Sequence, residues 1–212
     1  MEKTHLKLNL GCGTTAPEGW LNIDSSPNVL LAKIPGNKFL KKLLYSMHLM
    51  SEEGYKAQWQ RNIVYCNLTK SFPSLPPNSC SVIYTSHFLE HIPLENAKKL
   101  ILRAYQMLTP GGILRIAVPD LFMEAKNYVE RVTISLNDST NDWKAAGDFI
   151  NLMVLKSNRH SHVWMYDFIS LSHILRETGF RNIEQKKFLE SEIKDIDLVE
   201  MRQDSLFVEC KK

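Results

Sequence analysis

Leu6, Leu8 and Leu10 alternate with Lys7 and Asn9, and the run then stops at Gly11-Cys12-Gly13. Alternation with a period of two predicts a strand. Two glycines one residue apart remove side chains from the turn that ends it, so a ligand can come close to the backbone there. A second short run, Trp20-Leu21-Asn22-Ile23, ends in Asp24, which sets a carboxylate after a strand and beside the glycine turn. Further strands are expected at Ile63 to Cys66, Ser81 to Thr85, Ile113 to Val118, Asn182 to Phe188 and Ser205 to Cys210. Helical spacing predicts a helix over Asn96 to Leu108, with Ala97, Leu100, Ile101, Ala104, Tyr105 and Leu108 on one stripe, stopped by Thr109-Pro110-Gly111-Gly112. Residues 121 to about 157 read as helical, with a break where polar turn formers cluster from Asn137 to Asn141. Asp167 is expected to cap a helix that runs through Glu177 and closes at Gly179.

Between the second and third strands lies a long insertion, residues 28 to 61. Phe39, Leu40, Leu43, Leu44, Met47 and Met50 recur there at helical spacing opposite Lys38, Lys41 and Lys42. This pattern predicts an amphipathic helix over residues 36 to 50 that buries one face, either on the body of the domain or as a lid over a site. Strands alternating with helices predict an α/β fold, a mostly parallel seven-stranded sheet with helices on both faces, in one domain spanning 1–212. In such sheets ligands sit beyond the carboxyl ends of the strands, where the strand order reverses. The exits to watch are Gly11 to Gly13, Asp24, Asn67, Ser86 to His91 and Pro119-Asp120, and all are polar or glycine-rich.

Composition narrows the class of partner. Hydrophobic residues make up 44% of the 212 positions and charged ones 23%, an ordinary balance for a globular chain, and a net charge of +3 is too small to argue for nucleic acid. Lys33, Lys38, Lys41 and Lys42 do cluster, which reads as a solvated helix face or a local anion contact. Cys12, Cys66, Cys80 and Cys210 lie far apart with no C-x-x-C pair, and read as free thiols. No stretch is apolar enough for a signal peptide or a membrane span, so a cytoplasmic protein is expected.

The glycine turn and Asp24 together are suited to a nucleoside: bare backbone for one end, a carboxylate for the ribose hydroxyls. A dinucleotide is disfavoured, because the fingerprint asks for a third glycine where Ala16 stands and for an acid roughly twenty positions on, whereas Asp24 comes eleven after Gly13. No G-x-x-x-x-G-K-[ST] occurs, which argues against a nucleoside triphosphate.

With these residues in place the chain resembles the class I S-adenosylmethionine-dependent methyltransferases, in the small branch associated with glycan and secondary-metabolite modification. The likeness is carried in order by LNLGCG, WLNID, YTSHFLEHI, LTPGGILRIAVPDL and HVWMYDFISLSHILRETGF, which together span nearly the whole chain. The resemblance implies a Rossmann-like methyltransferase fold with S-adenosyl-L-methionine as cofactor. It also implies that Gly11 and Gly13 face the methionine end, that Asp24 binds the ribose hydroxyls, and that Asn67 with Leu68 flanks the adenine. Asn9, Cys12, Ser86 and His87 complete the candidate cofactor-binding set. Two positions depart from the wider pattern: Asn9 stands where an acid is usual, and Thr15 where a third glycine is usual. The helix expected between the first two strands also has almost no room, since a parallel crossover normally takes a dozen or more residues.

Methyl transfer from a sulfonium is an in-line displacement, so positioning supplies much of the rate, and a base is needed only if the acceptor holds a proton of high pKa. Histidine suits that role near neutral pH. The candidates are His87 and His91, one helical turn apart after a strand exit, and His162 in an aromatic loop whose Trp164 and Tyr166 could wall an acceptor pocket. His87 to His91 also matches H-x-x-E-H, an inverted zinc-protease signature, but Pro93 follows closely and no third ligand suggests itself. His160-Ser161-His162 lacks partners at ligand spacing, and no metal is expected. The expected activity is methyl transfer to oxygen or nitrogen of a small molecule or sugar-containing metabolite, with residues 28–61 and 121–166 closing over the acceptor. The alternative is a nucleoside- or partner-binding protein that kept the fold and lost the chemistry. Oligomeric state cannot be read from the pattern.

Overall fold

The computed structural model describes residues 5–138, 142–154 and 162–212. Seven strands form one sheet in the order β3-β2-β1-β4-β5-β7-β6. They are β1 (Leu6–Leu10), β2 (Leu21–Asp24), β3 (Ile63–Tyr65), β4 (Cys80–Ser86), β5 (Leu108–Val118), β6 (Arg181–Lys186) and β7 (Leu206–Lys211). The first five pair in parallel, and β7 runs antiparallel to both β5 and β6, so the sheet is mostly parallel with a reversed hairpin at one edge. The order reverses between β1 and β4, which makes the exits of those two strands the crevice where ligands of open α/β sheets bind.

Alternation along each strand sorts side chains onto two faces. Leu8, Leu10, Ile23, Ile83, Leu114, Ile116 and Val208 point to the larger core cluster. Two helices cover that face, α4 (Leu94–Met107) through Ala97, Leu100, Ile101, Ala104 and Met107, and α7 (Phe168–Thr178) through Leu171, Ile174 and Leu175. The cap of α7 is as the sequence predicts: Asp167 accepts from Ser170 N at 2.7 Å, and Gly179 closes the helix at φ 110°. The other face carries Asn9, Asn22, Ile63, Val82, Tyr84 and Arg115. Short helix α1 (Pro27–Ala32) and the segment 187–200, which contains a single 3-10 turn at Ile196–Leu198, cover it.

That second face buries a charged network. Arg115 is fully buried; its guanidinium donates to both Glu200 oxygens at 3.0 and 2.9 Å and lies 3.5 Å from Glu209 Oε2. Its remaining donors meet the carbonyls of Lys187 at 3.0 Å and Glu190 at 2.9 Å, so one β5 side chain staples the 187–200 segment to the sheet.

The crossover from β1 to β2 contains no helix, as its short length implies: residues 11–20 form a loop, and the strands still pair in parallel, Leu8 with Leu21 through Leu10 with Ile23. Two local expectations are corrected. Thr109 to Gly112 stops α4 as predicted, but the stretch is also drawn into the irregular start of β5, where the register shifts between Cys80 and Val82. The insertion after β2 is three short helices, α1, α2 (Asn37–Ser46) and α3 (Glu52–Lys56), and α2 buries none of its residues. Phe39 is 76% exposed and Leu43 and Met47 are exposed as well. The helix packs against α3 through the stacked rings of Tyr45 and Tyr55 at 4.8 Å, while most of its apolar stripe stays exposed. The predicted helical stretch after β5 is α5 (Leu121–Asp138) and α6 (Ala145–Val154), bound by Arg131 to Asp142 and Asp148 and by Tyr128 stacked on Phe149 at 5.0 Å. The centre of the predicted break, at 139–141, lies outside the described residues.

Candidate active site

The glycine turn leaves β1 with both glycines in the left-handed region, Gly11 at φ 66° and Gly13 at φ 56°. A side chain at Gly11 would lie 2.8 Å from Phe88, the residue that follows the β4 exit, so the turn and the second exit are in direct contact. At Gly13 nothing lies within 4 Å, which leaves open room above the backbone where a ligand can reach it. Asp24 faces the same turn: its carboxylate accepts from Gly13 N at 2.8 Å and from Ser26 N at 2.7 Å. A carboxylate offers about four acceptor positions, so two remain for the hydroxyls of a ribose. Open glycine backbone beside an oriented acid fits an adenosyl group carrying an amino-acid tail. When bound there, S-adenosyl-L-methionine supplies an electrophilic methyl group.

Asn9 and Cys12 act from behind the turn. Asn9 is buried, and its amide donates to Thr15 O at 2.9 Å and to Asn22 Oδ1 at 3.1 Å. Asn22 in turn donates to the carbonyls of Pro17 and Trp20 at 2.9 and 3.0 Å. The two asparagines face each other in register on β1 and β2 and hold the carbonyls of the helix-free crossover. This accounts for the first departure from the wider pattern: an amide donor stands at position 9 because a loop carbonyl, at Thr15, points back at it. Sequence reasoning passed over Asn22, although a buried-type strand carrying asparagine at the matching register was a legible sign. Cys12 is buried, and burial together with the charge of Asp24 pushes its thiol up to about 12.

Asn67 follows β3 and turns the chain, its Oδ1 accepting from Thr69 N at 3.1 Å and Thr69 Oγ1 at 2.7 Å. Leu68 is buried in the main core. The preceding Cys66 N donates to the backbone carbonyl of Asp24 at 3.0 Å, which ties this exit to the end of β2.

Ser86 ends β4, and His87 follows with φ 48°, a left-handed backbone that a non-glycine residue adopts at a cost of order 1–2 kcal/mol. Such strain is often found at functional sites. His87 Nδ1 lies 3.3 Å from Glu90 Oε1, and its Nε2 pairs with Ser205 Oγ at 2.8 Å. Leu89–His91 is a 3-10 turn, so the α-helix that an inverted zinc-protease reading requires is absent here. Glu90 is fully buried, and neither carboxylate oxygen has a hydrogen-bond partner among the described residues. Its backbone carbonyl accepts from Val163 N at 2.7 Å and Trp164 N at 3.2 Å, which docks the aromatic loop onto the β4 exit. That loop is pinned again where Leu121 N donates to Tyr166 O at 2.9 Å. His162 thereby meets His91, ring centroids 5.1 Å apart, and both come near the Glu90 carboxyl. Tyr166 is fully buried, and burial and then the charge of Glu90 raise its hydroxyl pKa. Trp164 is partly exposed.

The fold thus gathers the sequence candidates into two neighbouring groups, Gly11, Gly13 and Asp24 on one side and His87, His91 and His162 around Glu90 on the other, joined by Phe88. Phe88 and Ser205 were missed; Phe88 carries no polar signal, and Ser205 is distant in sequence. His160 and Ser161 lie outside the described residues.

Comparison with known proteins decides the family. The Methyltransferase domain family matches residues 16–185, well over half of the chain. The chain belongs to the methyltransferase domain family. Among solved structures it is similar to a SAM-dependent methyltransferase from Archaeoglobus fulgidus, at 14% identity and a TM-score of 0.56, covering 99% of this chain and 87% of that one. It is also similar to a Thermotoga maritima SAM-dependent methyltransferase described as a possible histamine N-methyltransferase, at 14% identity and a TM-score of 0.53, covering 98% and 83%. A third, the methyltransferase SibL in its apo form, shares 15% identity at a TM-score of 0.51 and is spanned over 50% of its length. A search of the curated proteins finds no significant match. The methyltransferase fold read from the sequence is therefore the fold of this chain. Among the described residues no helix is long and apolar enough to cross a membrane.

Proposed function

We propose that this methyltransferase transfers a methyl group to an oxygen or nitrogen of a small molecule or sugar-containing metabolite. The observation that carries the reading is the polar cluster of half-buried His87, His91 and His162 around buried Glu90 at the β4 exit, one residue from the Phe88 contact with the glycine turn. Acceptors with a hydroxyl or ammonium need a partner for their proton, and this cluster sets imidazoles next to where a methyl group is presented. His162 and His91 face the acceptor. His87, held between Glu90 and Ser205, positions the carboxyl. In this reading helices α1 to α3, α5 and α6 close over the bound acceptor, and the modest net charge disfavours nucleic acid as the acceptor.

Asp24→Ala tests the donor half: affinity for S-adenosylhomocysteine in calorimetry should fall by about 1–3 kcal/mol, the value of hydrogen bonds to a charged group, and unchanged affinity rejects the ribose assignment. The acceptor half is tested by incubating the enzyme with methyl-labelled donor and a whole-cell extract. Label should enter the low-molecular-weight fraction and disappear with Asp24→Ala. Label found only in protein or nucleic acid refutes the small-acceptor reading.

A further inference from the structure

We propose that Glu90, His91 and His162 form a binding site for one divalent transition-metal cation on the acceptor side of the methyltransferase site. The starting point is the Glu90 carboxyl, fully buried with no hydrogen-bond partner for either oxygen among the described residues. A buried acid left in that state is costly unless a positive group completes it. One ligand atom from each of Glu90, His91 and His162 lies within 4.8 Å of the others. Metal bonds of about 2.0–2.2 Å require ligand atoms about 3–4 Å apart, so side-chain rotations on the order of 1 Å close the set.

The donor chemistry selects the ion. Two imidazoles and one carboxylate suit Mn²⁺, Fe²⁺, Co²⁺ or Zn²⁺ rather than Ca²⁺ or Mg²⁺, which favour all-oxygen shells. Three protein ligands leave coordination positions open. His91 and His162 are only half-buried, so those positions lie on the accessible side while Glu90 closes the inner one. A supporting partner is already in place: His87 contacts the Glu90 carboxyl with one ring nitrogen and Ser205 with the other, as outer partners orient the ligands of metal sites. The loop that brings His162 is fixed through the Glu90 carbonyl, so a single residue both ligates and assembles the site. This deepens the acceptor-side reading above and rests on it for the cation's role, which is to hold and polarise an acceptor oxygen; the existence of the site does not depend on that role.

The test uses chelator-stripped full-length protein titrated with Mn²⁺, followed by the loss of the free-ion electron paramagnetic resonance signal, and with Co²⁺, followed by absorption. One equivalent should bind. His162→Ala and His91→Ala should each weaken binding at least tenfold, whereas the exposed His173→Ala on α7 leaves it unchanged, circular dichroism confirming the fold of each variant. Binding of S-adenosylhomocysteine is measured on the same samples. Wild-type protein that binds no cation at millimolar metal, or variants at His91 and His162 that bind as tightly as wild type, overturn the site. Protein that binds S-adenosylhomocysteine but no cation defeats only this inference, and protein that binds a cation but no S-adenosylhomocysteine defeats the methyltransferase reading instead.

Discussion

Gly11 and Gly13 share a positive φ yet differ in what surrounds them, and that difference separates a structural role from a ligand-binding one. Alanine at either position pays for left-handed backbone, about 1–2 kcal/mol. At Gly13 nothing else is added, because the new methyl group meets no atom of the protein within 4 Å. At Gly11 the methyl group would sit 2.8 Å from the Cβ and Cγ of Phe88. Those atoms are next to the backbone, so relief requires shifting the β4 exit, and overpacking of this kind costs a further ~1–3 kcal/mol. Urea denaturation should therefore show Gly13→Ala destabilised by about 1–2 kcal/mol and Gly11→Ala by about 2–5 kcal/mol. Calorimetry with S-adenosylhomocysteine should show a larger effect of Gly13→Ala than its stability cost suggests, at least tenfold in affinity, since the methyl group occupies the room where the ligand approaches. A folded Gly13→Ala protein that binds S-adenosylhomocysteine as tightly as wild type would refute the placement of the cofactor over this turn.

Three further outcomes follow from other parts of the molecule. Arg115→Met strands the buried carboxyls of Glu200 and Glu209 and should cost about 3–5 kcal/mol in urea melts; adding Glu200→Gln should recover part of that loss, and a near-neutral single variant would show that the network is not a staple. Cys12, Cys80 and Cys210 are buried, and desolvation is the largest cause raising each thiol, so at pH 8 alkylation should modify only Cys66 quickly and all four after unfolding; more than one fast thiol in the folded protein contradicts this burial. Hydrogen bonds from Ser170 hold the Asp167 carboxyl below its ordinary 3.8, so the cap's contribution is complete above that value and fades as pH falls through the lower folded one. Asp167→Ala should thus cost about 1 kcal/mol at pH 7, with the gap to wild type closing below pH ~4 in pH-resolved melts.

The parts of the fold that one short stretch determines by itself were legible. The alternation of Leu6, Leu8 and Leu10, the stripe of α4 and the Asp167 to Gly179 brackets of α7 each carry their own signal, and all three stand in the structure. Asp24 and the glycine turn were legible for the same reason: eleven residues separate Asp24 from Gly13, and parallel pairing in register brings them together. The apolar face of α2 shows the limit of such signals, because periodicity states that a face exists and not what meets it. The histidine cluster shows a different limit. His87, Glu90 and His91 are adjacent in sequence, and their H-x-x-E-H spacing suggested metal ligation on an α-helix that does not form. With a 3-10 turn in its place, Glu90 turns inward and its carbonyl receives the backbone of the loop carrying His162, more than seventy residues later. Spacing along a helix is a local property, whereas a ligand set closed by a docked loop depends on a contact between distant segments. The residue that makes this contact is the one whose carboxyl has no hydrogen-bond partner among the described residues, so the group that joins the distant segments is the one on which the proposed cation site is built.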